Sequence, residues 1–118
     1  MDKVEFIEQF KKRTKDAALR IIRLFQSLPK TDEARIIGKQ ILRSGTSFAA
    51  NYRAACRSRS RAEFFAKLSI VIEELDETLF WIELLVESNI LKEEKSASLK
   101  QELLEILSIL SHARKNTK

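Results

Sequence analysis

The stretch Ser60–Glu87, SRAEFFAKLSIVIEELDETLFWIELLVE, decides the fold. It opens with Ser60-Arg61-Ala62-Glu63, a capping box whose serine oxygen and glutamate carboxylate can satisfy the backbone N–H groups left free at a helix start. Behind the box, Phe65, Leu68, Ile72, Leu75, Leu79, Ile82 and Val86 recur every three or four residues, the spacing of one face of a helix. Phe64, Val71, Thr78 and Leu85 make a second row, and Phe80, Trp81 and Leu84 a third apolar edge. That is more hydrophobic circumference than a peripheral helix of a monomeric bundle uses. A helix over 61–87 follows, with Asn89 as its stop and Ile90-Leu91 plugging the bundle end.

Upstream, Thr31 is a good N-cap, and Asp32 and Glu33 sit in the first turn, where the helix dipole favours acids. The inner face then reads Ile37, Ile41, Ser44, Phe48, Asn51, Ala55, which predicts a helix over about 32–58. Its centre, Ser44-Gly45-Thr46-Ser47-Phe48-Ala49-Ala50, carries small side chains that allow a close approach by another helix or a ligand. Pro29 separates this helix from an earlier one over about 3–27, because proline disfavours helix at the residue before it. There Ile7, Phe10, Thr14, Ala17, Ile21, Leu24 and Leu28 share a face, widened by Phe6, Ala18, Ile22 and Phe25. A fourth helix, about 94–114, carries Leu99, Leu103, Ile106, Leu110 and Ala113, with Leu104 and Leu107 beside them. The tail Lys115–Lys118 is expected to fray. Four helices with short connections imply an all-α, antiparallel up-down-up-down four-helix bundle forming a single domain over 1–118.

Composition agrees. The 118 residues hold 2 Gly and 1 Pro, too few breakers for the turns of a sandwich or barrel. Apolar residues are 44%, plentiful and regularly spaced, which argues against disorder. A single cysteine, Cys56, cannot form an intramolecular disulfide and suits a reducing compartment. The N-terminal segment mixes acids and bases without an apolar core, unlike a signal peptide. No stretch approaches the roughly 20 apolar residues of a membrane span. These features predict a soluble, cytoplasmic protein with no membrane association.

Charge is uneven. The chain carries 22 Lys+Arg and 17 Asp+Glu, a formal net charge of +5. Residues 1–59 hold 14 basic and 6 acidic side chains, and residues 60–118 hold 8 and 11. A basic half beside an acidic half reads either as complementarity between helices or subunits, or as a surface for nucleic acid.

Catalytic chemistry is sparse. The only histidine, His112, cannot by itself build a usual metal site. Cys56 stands among Arg53, Arg57 and Arg59, cations that can make a thiol reactive, but no histidine is near in sequence, and a packed small residue is the simpler reading. Gly38 and Gly45 are isolated within a helix and form no phosphate loop. The cluster Glu73-Glu74-Leu75-Asp76-Glu77 lacks the Glu-x-x-His pairs of di-iron bundles. No enzyme class, cofactor or metal follows. Arg43 and Arg53 are candidate ion-pair partners for this cluster, with Glu74 and Glu77 among its members. Asn51, if buried, needs a hydrogen-bond partner and reads as a register-fixing polar residue.

What remains is Arg53-x-x-x-Arg57-x-Arg59-x-Arg61, where guanidiniums gathered at one bundle end can clamp phosphates. Lys11, Lys12, Arg13 and Lys15, with Arg20 and Arg23, add a second basic set. Aromatics do not alternate with these bases, so the expected contact is to the phosphate backbone with little base readout. The competing reading is a solvated or intersubunit salt-bridge face.

The run from Arg43 through Ser44-Gly45-Thr46, Asn51-Tyr52-Arg53, Arg57 and Ser60-Arg61-Ala62-Glu63-Phe64 resembles the signature of the bacterial four-helix bundle proteins, also called 23S rRNA intervening-sequence proteins. Lys67-Leu68, Glu73-Glu74-Leu75-Asp76-Glu77 and Phe80-Trp81 continue it, and the Leu28-Pro29 break fits. The likeness covers about residues 24–85. Many members carry Glu-Gly where this chain has Ala54-Ala55, which marks a subgroup. The resemblance implies a bacterial homo-oligomer, with pentameric rings known for the fold, and no attached enzymatic activity. It also implies kinship with the accessory variability proteins of diversity-generating retroelements, which bind nucleic acid and a reverse transcriptase. Two expectations follow. The first is a non-enzymatic oligomer that binds RNA or DNA through Arg53, Arg57, Arg59, Arg61, Lys11, Lys12 and Arg13. The second is a protein-interaction scaffold, such as an accessory subunit that docks a reverse transcriptase.

Overall fold

The computed structural model describes residues 2–117. Four helices follow one another: α1 (Lys3–Ser27), α2 (Asp32–Ala55), α3 (Arg61–Glu87) and α4 (Glu93–Lys115). Their starts are fixed by side chains that accept from backbone amides the helix itself cannot satisfy. Asp2 accepts from the Glu5 amide at 2.8 Å, Thr31 from Ala34 at 3.3 Å and Ser60 from Glu63 at 3.1 Å. The Glu63 carboxylate reaches back to the Arg59 amide at 3.4 Å, one residue earlier than the Ser60 amide of a standard capping box. Among the described residues, no side chain caps the start of α4.

Helix ends are equally local. Leu28, before Pro29, leaves the helical region at ψ 149°. After α3, Asn89 takes φ 64°, a left-handed conformation asparagine tolerates. The Ile90 and Leu91 amides then both return to the Leu85 carbonyl, at 2.9 and 3.1 Å. Leu91 is buried there and Ile90 half-buried, so this pair does close the bundle end. α2 stops at Ala55, three residues short of the expected boundary. Arg57 and Ser58 donate to Ala54 and Ala55, both at 3.0 Å; these i→i+3 bonds tighten the last turn, and Ser60 must already be extended to cap α3. The expected fraying at 115–118 meets a helix that includes Lys115 and a turn at Asn116 and Thr117; Lys118 lies outside the described residues.

Each helix packs on the next and α4 returns to α1, with no close Cα approach across either diagonal among the described residues. The bundle is therefore antiparallel and up-down-up-down, 45 × 26 × 19 Å. Phe48, Ile21, Ile41, Leu68, Leu75, Ile82, Leu85, Leu103 and Ile106 are fully enclosed in its core. The small centre of α2 permits a close approach. A Cβ on Gly45 would stand 2.6 Å from Ile21 Cγ2 on α1. On the facing side, Ser44 and Thr78 bond α2 to α3 at 2.8 Å inside the core.

The third apolar edge of α3 behaves differently from the first two. Leu68, Val71, Leu75, Thr78, Leu79, Ile82 and Leu85 are buried, whereas Phe80 is 51% and Ile70 43% exposed. Leu84 is also exposed and Trp81 half-buried. Leu104 on α4 and Phe6 on α1 face solvent too, although periodicity sets them beside the buried rows; Phe6 stacks on Phe10 at 5.8 Å between ring centroids.

Candidate functional site

The N-terminal half of α1, the end of α2, the start of α3 and the end of α4 meet at one end of the bundle, because alternate helices run in opposite directions. The arginine-rich segment lies there. Arg53 is on the last turn of α2, Arg57 and Arg59 on the connection, and Arg61 opens α3. All four side chains are exposed. None forms an ion pair with a carboxylate among the described residues. Arg53, expected as a partner of the Glu73–Glu77 cluster, therefore does not meet it.

Two depressions flank the connection. The first, about 590 Å³, is a groove between α1 and α2. Lys11, Lys12 and Lys15 line one wall and Arg53 and Arg57 the other, over a floor that includes Ala49 and Ala50. Lys15 was visible in sequence as the i+4 neighbour of Lys11. Lys11 bonds Glu8 at 3.1 Å and Lys12 bonds Asp16 at 2.9 Å. These are same-helix surface pairs of small energy, so both ammonium groups can exchange partners. The second depression, about 620 Å³, lies on the other side of residues 56–60. Arg59, Arg61 and Lys3 supply its charge, and Ile7, Ala55 and Phe64 its apolar wall. Periodicity alone gave no reason to join Lys3 or Phe64 to the arginines, since the join depends on how α1 and α3 pack.

Arg13 is not part of this set. Its guanidinium grips Glu102 of α4 through two 2.7 Å hydrogen bonds and reaches Glu105 at 3.1 Å. The bidentate fork is the strong form of this interaction. The bond from Arg13 holds the Glu102 carboxyl below the ordinary carboxylate range, and its charge adds to that effect. Arg13 thus seals the α1–α4 seam. Farther along that seam, Arg20 donates to Ser98 Oγ at 2.9 Å. There Arg20 and Arg23 border a third depression with Lys95 and Leu99.

The remaining polar positions are structural. Arg43 bonds Glu77 and lies 3.4 Å from Glu74. The Glu77 carboxylate, which also accepts from Trp81 Nε1 at 3.3 Å, is held below its ordinary range chiefly by the Arg43 bond. Glu73 and Asp76 are exposed. Asn51 is half-buried and spends its amide on Ser47 in its own helix, at 2.9 Å to the carbonyl and 3.0 Å to Oγ. It makes no bond to another helix among the described residues; Ser44 and Thr78 make the buried polar link between α2 and α3. Cys56 is half-buried. Tyr52, buried one helical turn before it, has its hydroxyl proton held more firmly than usual, mainly by burial. His112 is exposed and bonds Asn116 at 3.0 Å. No cluster of three or more metal-ligating side chains occurs among the described residues. Among the described residues, no helix is long and apolar enough to cross a membrane.

Comparison with known proteins places this geometry. No curated protein matches the chain. A solved structure does: a protein of unknown function from the S23 ribosomal protein family of Bacteroides thetaiotaomicron VPI-5482, at 37% identity and a TM-score of 0.83. The match spans 89% of this chain and 97% of that one. The family model for the 23S rRNA-intervening sequence protein matches residues 8–112. With nearly the whole bundle covered, the chain belongs to the 23S rRNA-intervening sequence protein family.

Proposed function

We propose that this chain is a non-enzymatic, cytoplasmic, homo-oligomeric bundle that acts as one domain and binds RNA or other nucleic acid. Phosphates would meet its basic end. The observation that carries the reading is the set Arg53, Arg57, Arg59 and Arg61, four exposed guanidiniums without a carboxylate partner among the described residues. Lys11, Lys12 and Lys15 face two of them across the α1–α2 groove. A groove lined by charge and small side chains suits a sugar–phosphate backbone, which carries affinity without sequence readout. The family's name refers to an intervening sequence of 23S rRNA, an RNA context in keeping with this chemistry. Arg13, committed to Glu102, has no part in the contact.

Anisotropy of labelled structured RNA, single-stranded DNA and duplex DNA, titrated at two salt concentrations with oligomer mass recorded, tests the reading. Salt-sensitive binding is expected, with a log–log slope of about −0.7 per neutralised phosphate on single strands. Replacing Arg53, Arg57, Arg59 and Arg61 by alanine should weaken it at least tenfold; unchanged affinity overturns the site.

A second reading, a scaffold that docks a protein such as a reverse transcriptase, is favoured by Ile70, Phe80 and Leu84, apolar side chains exposed on α3. The same face suits contact between subunits of a ring, the pentamer included. An oligomer that ignores all three nucleic acids would favour the scaffold.

A further inference from the structure

We infer that the cavity bounded by Lys3, Arg59, Arg61 and Phe64 takes a single nucleotide of the bound strand, its phosphate on the guanidiniums and its base against the apolar wall. The inference rests on the nucleic-acid reading above and adds a pocket of small-ligand size to it.

The two depressions differ in chemistry. The groove between α1 and α2 has charge and small side chains but no aromatic ring. The cavity has both charge and an apolar wall, and its 620 Å³ falls within the range of about 300–1,000 Å³ usual for small-ligand pockets. An inorganic anion would leave the apolar wall unused, and a purely apolar ligand would leave the guanidiniums unused. A molecule with a planar face and a phosphate uses both. Arginine matches phosphate through its planar donor fork, and an aromatic face accepts any base. Phe64, half-buried on the first turn of α3, is the phenylalanine that borders the cavity.

A further feature supports an anionic occupant. The first turn of α3 opens there, and its amides place partial positive charge at the helix start. Continuity with the groove follows from the chain itself. Arg57 lines the groove, while Cys56, Ser58 and Arg59 line the cavity. A strand tracked by the groove thus reaches the cavity by passing over residues 56–60.

The test titrates the full chain with AMP, UMP, adenosine and inorganic phosphate by calorimetry, and uses the nucleotides to displace a labelled single-stranded RNA. AMP and UMP should bind and displace the RNA, more tightly than adenosine or phosphate. Arg59→Ala with Arg61→Ala should weaken AMP at least tenfold. Phe64→Leu, which keeps an apolar side chain and removes the ring, should cost about tenfold, with an unchanged helical spectrum showing that it folds. Phosphate binding as tight as AMP, and indifferent to Phe64→Leu, overturns the base pocket. AMP binding that RNA does not compete with overturns the strand assignment. RNA binding without any nucleotide binding overturns the pocket and leaves the groove intact. Loss of both takes the nucleic-acid reading down as well.

Discussion

Helices α2 and α4 stand at opposite corners of the bundle and solve the same packing problem in different ways. α2 meets α1 and α3 through small residues: Gly45 lies under Ile21, and Ser44 bonds Thr78 in the core. α4 presents Leu99, Leu103, Ile106 and Leu110 to the interior but its backbone approaches α1 less closely, and Arg13–Glu102 and Arg20–Ser98 bridge that seam. One corner is held by close backbone approach, where a single added methyl is felt. The other is held by long side chains that can adjust. The difference teaches which corner is sensitive to added volume and which is bridged by side-chain bonds.

The comparison breaks most readily at Gly45. A Gly45→Ala methyl would meet a β-branched side chain on a packed helix, so a loss of about 1–3 kcal/mol is expected from overpacking. Urea denaturation reads it, and a stability gain from improved helix propensity would show that α1 yields there. Next in size is Thr78→Val. Thr78 Oγ1 lies 2.8 Å from both Ser44 Oγ and the Glu74 carbonyl; removing it strands the buried Ser44 hydroxyl, at a cost of about 1–2 kcal/mol. An unchanged denaturation midpoint would mean that Ser44 finds a bond within α2.

The smallest effect belongs to the α4 corner. Glu102→Gln should cost about 1 kcal/mol or less at neutral pH, because the pair is partly solvated. Its sign with pH is fixed. The Glu102 pKa is lowered by Arg13 in the folded chain, so the contribution is complete above the unfolded value of about 4.3. It disappears as pH falls through the lowered folded value. Wild type and Glu102→Gln should therefore converge in stability in acid. A constant gap down to pH 2 would place the stabilisation elsewhere.

Much of this contrast is legible in the residues themselves. Thr31, Ser60-x-x-Glu63, Pro29 and Asn89 are local signals, and each marks a helix boundary that the structure shares. The end of α2 was not legible, since Cys56, Arg57 and Ser58 include no breaker and the stop depends on where α3 must begin. Side-chain direction was the larger gap. Periodicity puts Asn51 and Leu104 near buried rows, but each lies at the edge of its stripe, where the neighbouring helix sets exposure. Arg13 sits among lysines in sequence and looks equivalent to them. Only the approach of α4 reveals that it turns the other way, towards Glu102. The basic end was readable as a charge excess; its division into a groove and a cavity required the positions of Lys3, Lys15 and Phe64 in three dimensions.

An even number of antiparallel helices brings the first and last residues of the bundle to the same end as the α2–α3 connection. Lys3 and Thr117 both border the cavity beside Arg59. Any tag, fluorophore or fused domain joined at either extremity therefore emerges beside the arginines. A polyhistidine tag would add its own protonatable charge to the surface under study, and an acidic linker would compete for the guanidiniums. Reporters belong at the far end, in the turns around Lys30 or Lys92, where both residues are exposed and a bulky label leaves the basic end clear.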